Sequence, residues 1–366
     1  MSTDEFKMIP RTNPDLKGHG EAERILLDAW ASEKLHHAWL ITGPEGIGKA
    51  TLAWRFARFA LNGDGGAGAG LFGDGPDNMD TPSDSSIFKR MAAGGHPDFL
   101  CLEKGMVNPK THKISENDIP VAIARDATKF VRLTPAESDW RVIIVDAADN
   151  LNRNAANALL KALEEPPARA LFLLVSHAPG RLLPTIRSRC RRLNLHTLKD
   201  DLVIDLLGER YPDLAVPEKS ALATLSEGSI GKAISLYDAG GIDLYRGMMK
   251  LMENADKMDV TLVHTFAGQL SGKSSEASFY TFRTLLDWWF KRLIRTIATG
   301  DVPVEVIAHE NSLIDRLKTR GNLALWLEVW EKMTKLLAQA DAPANLDKKQ
   351  VVIGAFMTLE TAMAKA

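Results

Sequence analysis

The stretch Arg141-Val-Ile-Ile-Val-Asp-Ala-Ala-Asp149 decides the fold. Four apolar residues that favour β-structure lead to Asp146, a pattern typical of a buried strand in a parallel sheet with an acid at its carboxyl end. A helix is predicted over residues 152–165, where the following proline pair stops it. A second apolar strand, Leu171–Val175, comes next. This order predicts an α/β domain with a parallel sheet, whose ligands bind at the carboxyl ends of the strands.

A glycine-rich loop, Gly43-Pro-Glu-Gly-Ile-Gly-Lys49, joins a predicted strand, Ala38–Thr42, to an amphipathic helix over residues 50–60. This is the context of a phosphate-binding loop, in which backbone N–H groups and a helix N-terminus face the phosphates and Lys49 reaches the outer ones. A glycine-rich turn kept for the fold alone is the alternative. The candidate nucleotide-binding residues of this segment are Gly43, Pro44, Gly46, Gly48, Lys49, Ala50 and Thr51.

Two positions argue against hydrolysis at this site. Ala50 stands where the pattern requires Ser or Thr, whose hydroxyl holds Mg²⁺, and Thr51 is turned about 100° away on the helix. Asp146 fits the acid that binds the metal, or else a helix-capping or turn aspartate. Its neighbour Ala147 cannot accept a proton or orient water. We therefore expect ATP or ADP to bind without turnover.

Composition indicates a soluble, cytosolic protein of 366 residues, with 45% hydrophobic and 25% charged residues and a formal charge of -2. This charge gives no global basic excess for nucleic acid. The first thirty residues lack a signal peptide, and no apolar run is long enough to cross a membrane. Cys101 and Cys190 lie outside any metal-ligand spacing, so no zinc or other structural metal is expected.

The carboxyl half is predicted to be helical. Three short helical patterns, at 199–209, 217–226 and 230–239, form a small lid, and helices continue from 241 onwards as a collar. The aromatic residues of the later helices are expected to be mostly core, with some at an oligomer interface. Before these helices, residues 62–86 form a glycine-rich and then acidic segment that is predicted to be a loop.

The densest basic cluster of the chain is Arg187-Ser-Arg-Cys-Arg-Arg192. It is either a solvated basic turn that complements a helix carboxyl end, or the source of an arginine that reaches the phosphates of a neighbouring subunit. Spacing alone favours the first interpretation.

These motifs together resemble the clamp-loader subunits of bacterial DNA polymerase III, members of the AAA+ superfamily. The resemblance is carried by residues 152–167, by Pro184-Thr-Ile-Arg-Ser-Arg-Cys190, by residues 36–44 with the glycine loop, and by His96-Pro-Asp98. It covers roughly residues 20–240 well, and the later helices only by pattern. It implies a RecA-like AAA+ domain at 1–197, a three-helix lid at 198–240 and a helical oligomerisation collar at 241–366.

The resemblance also implies roles for single residues. The arginine of the Ser-Arg-Cys motif, Arg189, would act in trans on the ATP of a neighbouring subunit, which reverses the interpretation from spacing. Ser176 corresponds to the sensor-1 polar residue, and Lys232 takes the place of the sensor-2 arginine of ATPase relatives. Many family members carry a four-cysteine zinc module after the phosphate-loop helix. Segment 62–86 has no cysteine, so zinc is not carried over.

The implied function is that of a stator in a pentameric ring with ATPase (gamma/tau) and delta subunits, which loads the sliding clamp on primer-template DNA. As part of the polymerase III holoenzyme, a nucleotidyltransferase complex, the chain itself would be catalytically inactive. ATP-hydrolysing relatives have Lys-Thr or Lys-Ser and Asp-Glu, where this chain has Lys49-Ala50 and Asp146-Ala147. Two alternatives stay open: an active gamma/tau-like ATPase that uses Thr51 and Asp149 in shifted roles, and a stand-alone DNA-binding module.

Overall fold

The structure is a computed structural model that describes most of the chain. The described residues are 9–32, 34–62, 76–107, 109, 111–112, 114–115, 118–272, 276–341 and 344–365. They form two compact units, Met1–Lys199 and Asp200–Ala366. Most of the glycine-rich part of segment 62–86 therefore lies outside the described residues.

The first unit is a parallel α/β sheet with helices, as the sequence predicts. Its five strands are β1 (Ala38–Thr42), β2 (Phe99–Glu103), β3 (Arg141–Asp146), β4 (Ala170–Ser176) and β5 (Arg191–Asn194). Its helices are α1 (Gly20–Ala31), α2 (Lys49–Leu61), α3 (Ser86–Ala92), α4 (Val121–Phe130), α5 (Arg153–Glu164) and α6 (Pro184–Arg187), with 3-10 turns at Ala148–Asn150 and Pro179–Arg181. The sheet order is β2-β3-β4-β1-β5, and every pairing is parallel.

The sheet is apolar because both of its faces are covered. The side chains of β1 and β4 are buried along their whole length, as are those of β3 up to Asp146. Alternate residues along each strand enter two separate cores, one that contains α1 and α2 and one that contains α4 and α5. Near-continuous runs of apolar residues are the pattern expected for strands buried on both faces. Polar side chains are found where strands end, as Asp146 is at the carboxyl end of β3.

Most predicted boundaries agree with the structure to within a few residues. Helix α5 begins where the side chain of Asn152 accepts the Ala155 N–H at 2.9 Å, and it ends before the proline pair. Helix α3 was not predicted, although Ser85 caps it and it buries Phe88 and Met91. Strand β2 begins at Phe99, directly after Asp98, whose side chain contacts the loop before β3.

Helices build the described part of the second unit. Those at the predicted lid are α7 (Asp200–Arg210), α8 (Val216–Ser226) and α9 (Ile230–Asp238). Those at the predicted collar are α10 (Gly241–Glu253), α11 (Val260–Gln269), α12 (Glu276–Thr299), α13 (Glu310–Arg320), α14 (Leu323–Leu337), a 3-10 turn at Ala338–Ala340, and α15 (Lys348–Lys365). Trp289, Trp326 and Phe356 are fully buried, as core aromatics should be. The predicted boundaries at 198 and 241 stay predictions.

Within the described residues, no helix combines the length and the apolar character that a membrane crossing requires.

Asp98 anchors the start of β2 to the loop before β3. Its side chain is 0% exposed and accepts the backbone N–H groups of Ala136, Glu137 and Ser138 at 2.7–2.9 Å. The Arg141 guanidinium lies 3.5 Å away. Burial alone would raise the pKa of Asp98, but these hydrogen bonds and Arg141 together lower it below its ordinary value of 3.8. The carboxylate therefore stabilises the fold only while it is ionised.

We expect Asp98→Ala to lower the free energy of unfolding by about 3–5 kcal/mol, because three buried N–H groups lose their acceptor and the buried Arg141 loses its anionic partner. Asp98→Asn, which keeps one acceptor oxygen, should cost less. The folded-state pKa lies below the unfolded one, so the wild-type contribution is complete above pH 3.8 and is lost as the pH falls through the folded-state pKa. Urea titrations over pH 2.5–7 measure the free energy of unfolding at each pH. If this free energy had the same pH dependence in wild type and in Asp98→Asn, the proposed role of the Asp98 carboxylate would be wrong.

Candidate functional site

The glycine loop has the backbone of a phosphate cradle. It leaves the carboxyl end of β1 and enters α2 at Lys49. Gly43, Gly46 and Gly48 all have positive φ, at 146°, 76° and 107°. A Cβ on Gly43 would lie 2.4 Å from the carbonyl oxygen of Leu195, so only glycine fits there. Because Gly48 at the N-cap has no side chain, the first-turn N–H groups of α2 remain suited to an anion.

Lys49 is a buried cation inside this loop. Its side chain is 2% exposed, and its ammonium donates a hydrogen bond to the carbonyl of Pro44. Burial lowers the pKa of Lys49 to about 8, although Glu45, Asp146 and Asp149 partly offset this. At neutral pH the amine still carries its charge. The side chain thus has the position and the charge to contact a phosphate group.

The catalytic positions next to Lys49 agree with the sequence. Ala50 directly follows the lysine and offers no hydroxyl, while Thr51 is 7% exposed on the next position of α2. At the end of β3, Asp146 is followed by the buried Ala147. Methyl groups therefore stand at two positions where the ATP-hydrolysing relatives have a hydroxyl for Mg²⁺ and an acid beside the aspartate.

Asp146 lies at the carboxyl edge of the sheet, in register with Glu103 of β2. Burial, with repulsion from Glu103, raises the pKa of Asp146 to about 6, against the opposing effect of Lys49. Lys49 and Asp146 thus influence each other across the space between the loop and β3. Ionisable groups shifted by burial and by a charged neighbour are typical of functional sites.

Asp149 ties together the ends of β3 and β4. Its carboxylate accepts the Ser176 hydroxyl at 2.8 Å and the backbone N–H groups of His177 at 2.6 Å and Ala178 at 3.3 Å. The predicted sensor residue Ser176 is fully buried and is held in this network. From the sequence, Asp149 is assigned only a shifted catalytic role, because nothing in its local pattern identifies the partner loop.

His19 supports the phosphate loop from outside. Its Nε2 atom lies 2.6 Å from the carbonyl oxygen of Ile47, and its ring lies beside Gly48. Burial lowers the pKa of this imidazole below its ordinary value. Sequence reasoning missed His19 because it stands before α1, far from the loop along the chain.

Arg189 lies at the opposite edge of the sheet from Lys49. It stands two residues before Arg191, which pairs with Trp39 near the start of β1, whereas the phosphate loop follows the end of β1. Its guanidinium donates from Nη1 to the carbonyl of Thr185 at 2.9 Å, and its Nη2 lies 2.8 Å from Glu164 Oε1. The structure therefore separates Arg189 from the other candidate residues of the first unit.

Lys232 belongs to the second unit. It lies in the first turn of α9, where its N–H donates to the capping hydroxyl of Ser229 at 3.1 Å, and its Nζ is 3.5 Å from Glu227. Its predicted contact with a nucleotide stays a prediction, as do the expected absence of zinc and the binding of ATP or ADP.

A parallel sheet, a glycine loop between β1 and α2, and an acid at the end of β3 define a nucleotide-binding-type α/β protein with the phosphate loop at the carboxyl edge. A family model described as "DNA polymerase III, delta subunit" matches residues 18–199. The match spans just under half of the 366-residue chain. The predicted resemblance to clamp-loader subunits is thereby confirmed, and so is the predicted parallel α/β sheet with helices.

Individual relatives agree with this assignment. The chain is 36% identical over 204 residues to the DNA polymerase III subunit delta' of Pseudomonas aeruginosa, covering 56% of each chain. It is 31% identical over 216 residues to the subunit delta' of Escherichia coli, covering 58% of each chain. The Escherichia coli subunit tau is 29% identical over 236 residues, 63% of this chain and 33% of the relative. The chain thus matches little more than half the length of its delta' relatives.

We expect Asp146→Asn to stabilise the protein at pH 7.5, on the order of 2–3 kcal/mol for a pKa raised by about two units. The folded-state pKa is above the unfolded value, so the contribution of Asp146 is complete below pH 3.8 and is lost as the pH rises through about 6. Asparagine, neutral at every pH, avoids this loss. Urea unfolding at pH 4 and 7.5 measures the difference, which should shrink at the lower pH.

Asp149→Asn is the matched control, and it is expected to lower the free energy of unfolding rather than raise it. The amide replaces one acceptor oxygen with a donor that faces other donors, which should lower the free energy of unfolding by about 1–3 kcal/mol. If Asp146→Asn destabilised the protein at pH 7.5 as much as Asp149→Asn does, the account of Asp146 would be wrong.

Proposed function

We propose that this chain acts as a delta-prime-type stator of a bacterial clamp loader. In this role it does not hydrolyse ATP, and it supplies Arg189 in trans to the ATP of a neighbouring ATPase subunit. The family match over residues 18–199 supports the clamp-loader setting. Both the delta' and the tau relatives are named as subunits of DNA polymerase III.

The position of Arg189 carries the proposal. The phosphate loop and Arg189 lie at opposite edges of one sheet, separated by the length of β1, which spans about 13 Å at about 3.3 Å per residue. An arginine at the amino edge cannot contact phosphates at its own carboxyl edge. A phosphate partner for Arg189 must therefore come from another chain, as an arginine finger supplied in trans requires.

The chain's own loop is proposed to bind ATP or ADP without turnover. The positive-φ glycines and the buried Lys49 fit a di- or triphosphate, while Ala50 and Ala147 remove two hydrolytic groups. The nucleotide would be held by loop N–H groups and by Lys49, and its binding would order the loop at the edge of the sheet. Glu45, exposed in the same loop, adds a negative charge that works against tight binding.

The alternative of an active ATPase with Thr51 and Asp149 in shifted roles receives little support. Both carboxylate oxygens of Asp149 already accept hydrogen bonds from Ser176 or from the backbone. A base with this environment would have to give up a bonded partner before it could orient water. The formal charge of -2 likewise disfavours a stand-alone DNA-binding module.

The proposed partners are gamma/tau ATPase and delta subunits in a pentameric ring, with the sliding clamp and primer-template DNA reached through the complex. The helical second unit is proposed to hold the lid and the ring-forming collar. Within the ring, a chain that does not hydrolyse ATP would serve as the fixed neighbour against which an ATPase subunit closes.

We expect Arg189→Ala to reduce hydrolysis at the adjacent ATPase site by about 10³-fold, the lower range for an arginine finger, while other sites of the complex continue. The measurement is steady-state ATP hydrolysis by the reconstituted complex with clamp and primed DNA, in which the total rate should fall by the share of that one site. Arg192→Ala, an exposed arginine three residues on, is the matched control. The stator proposal would be wrong if the purified chain alone hydrolysed ATP and Lys49→Ala abolished that activity.

We expect Lys49→Ala to weaken ADP binding to the isolated chain by about 10- to 100-fold, the range for a hydrogen bond to a charged group. The pKa of Lys49 is lowered to about 8, so wild-type affinity should also fall as the pH rises beyond 8. The variant should lack that part of the pH dependence. Calorimetric titration with ADP at pH 7 and pH 9.5 measures both effects, and equal affinities for wild type and variant would rule out a phosphate contact.

A further inference from the structure

The arginine proposed to act in trans already has an anionic partner within its own chain. Glu164 Oε1 lies 2.8 Å from Arg189 Nη2, and the pair joins the last turn of α5 to the turn before β5. On its other arm, Arg189 Nη1 donates to the carbonyl of Thr185 at 2.9 Å and lies 3.4 Å from the Ser188 hydroxyl. Of these three partners, only Glu164 carries a charge.

The ion pair of Arg189 and Glu164 lies at the surface, where it can form and break. The two side chains are 33% and 44% exposed, so the ion pair is partly hydrated and weak. Glu164 also closes α5, where the helix dipole disfavours a negative charge, so Arg189 compensates a local cost. A guanidinium held in this way is ordered in the free chain and still available to a stronger anion.

We propose that Glu164 is a resting-state counter-ion that competes with the neighbour's triphosphate for Arg189. This inference rests on the proposed function of Arg189. A triphosphate carries several negative charges and draws the guanidinium more strongly than one carboxylate does, while the Glu164 carboxylate repels the incoming phosphates. Glu164 therefore weakens the binding of Arg189 to the neighbour's triphosphate until the two subunits are in close contact. After the ion pair has broken, the contacts of Arg189 with Thr185 and Ser188 keep its side chain close to its resting position.

The first experiment measures ATP hydrolysis against ATP concentration for the reconstituted complex with Glu164→Gln in this chain. Removing the competing charge should lower the KM for ATP by up to about fivefold, which corresponds to about 1 kcal/mol for an exposed ion pair, and should change kcat little. Glu165→Gln, a neighbouring exposed carboxylate outside the pair, is the matched control. Thermal unfolding of each variant checks that the fold is intact.

Because Arg189→Ala removes hydrolysis at the adjacent site, the pair is isolated by titrating the reconstituted complex with a non-hydrolysed ATP analogue, with and without Glu164→Gln, in the wild-type and the Arg189→Ala backgrounds. Glu164→Gln should tighten binding of the analogue in the wild-type background and have no effect without Arg189, because the counter-ion has lost its partner there. An unchanged or raised KM in the single variant, or a tighter binding of the analogue that persists without Arg189, would overturn the inference while the trans arginine stands. A complex in which Arg189→Ala hydrolyses ATP like wild type would overturn the proposed function and this inference together.

Discussion

Parallel pairing of β1 with β4 and β5 is the constraint on which both candidate sites depend. The carboxyl end of β1 opens into the glycine loop, and its amino end lies level with the turn that carries Arg189. Because strands of a parallel sheet share one direction, the loop and the arginine must occupy opposite edges. One short strand thus separates the glycine loop at one edge from Arg189 at the other.

Burial sets the chemistry at the carboxyl edge. Lys49 and Asp146 lie at the ends of elements that are otherwise apolar, and desolvation shifts the pKa of each towards neutrality. Asp149 lies three residues further along the chain, and its carboxylate accepts hydrogen bonds from backbone and hydroxyl donors. Two acids close together in sequence therefore differ in kind: Asp149 holds the edge together, and Asp146 is kept there at a cost in stability.

At the amino edge the charged groups are less buried than those at the carboxyl edge. Arg189 and Glu164 are partly exposed, so their attraction is screened and their geometry can change without disturbing either core. The buried pair of Asp98 and Arg141, by contrast, fixes a loop to the sheet and has no freedom to exchange partners. Buried charges thus hold parts of the first unit together, whereas the pair of Arg189 and Glu164 is accessible to solvent.

The sequence by itself determined the elements and the local chemistry. Apolar runs predicted the buried strands, the glycine loop predicted the phosphate cradle, and Ala50 and Ala147 marked the missing catalytic groups, since each of these is a local pattern. Only the tertiary structure decided which side chains meet: Asp149 with Ser176, His19 with Ile47, and Arg189 with Glu164. These partners are 25 or more residues apart and are joined by sheet order and helix packing, which leave no local signal in the sequence.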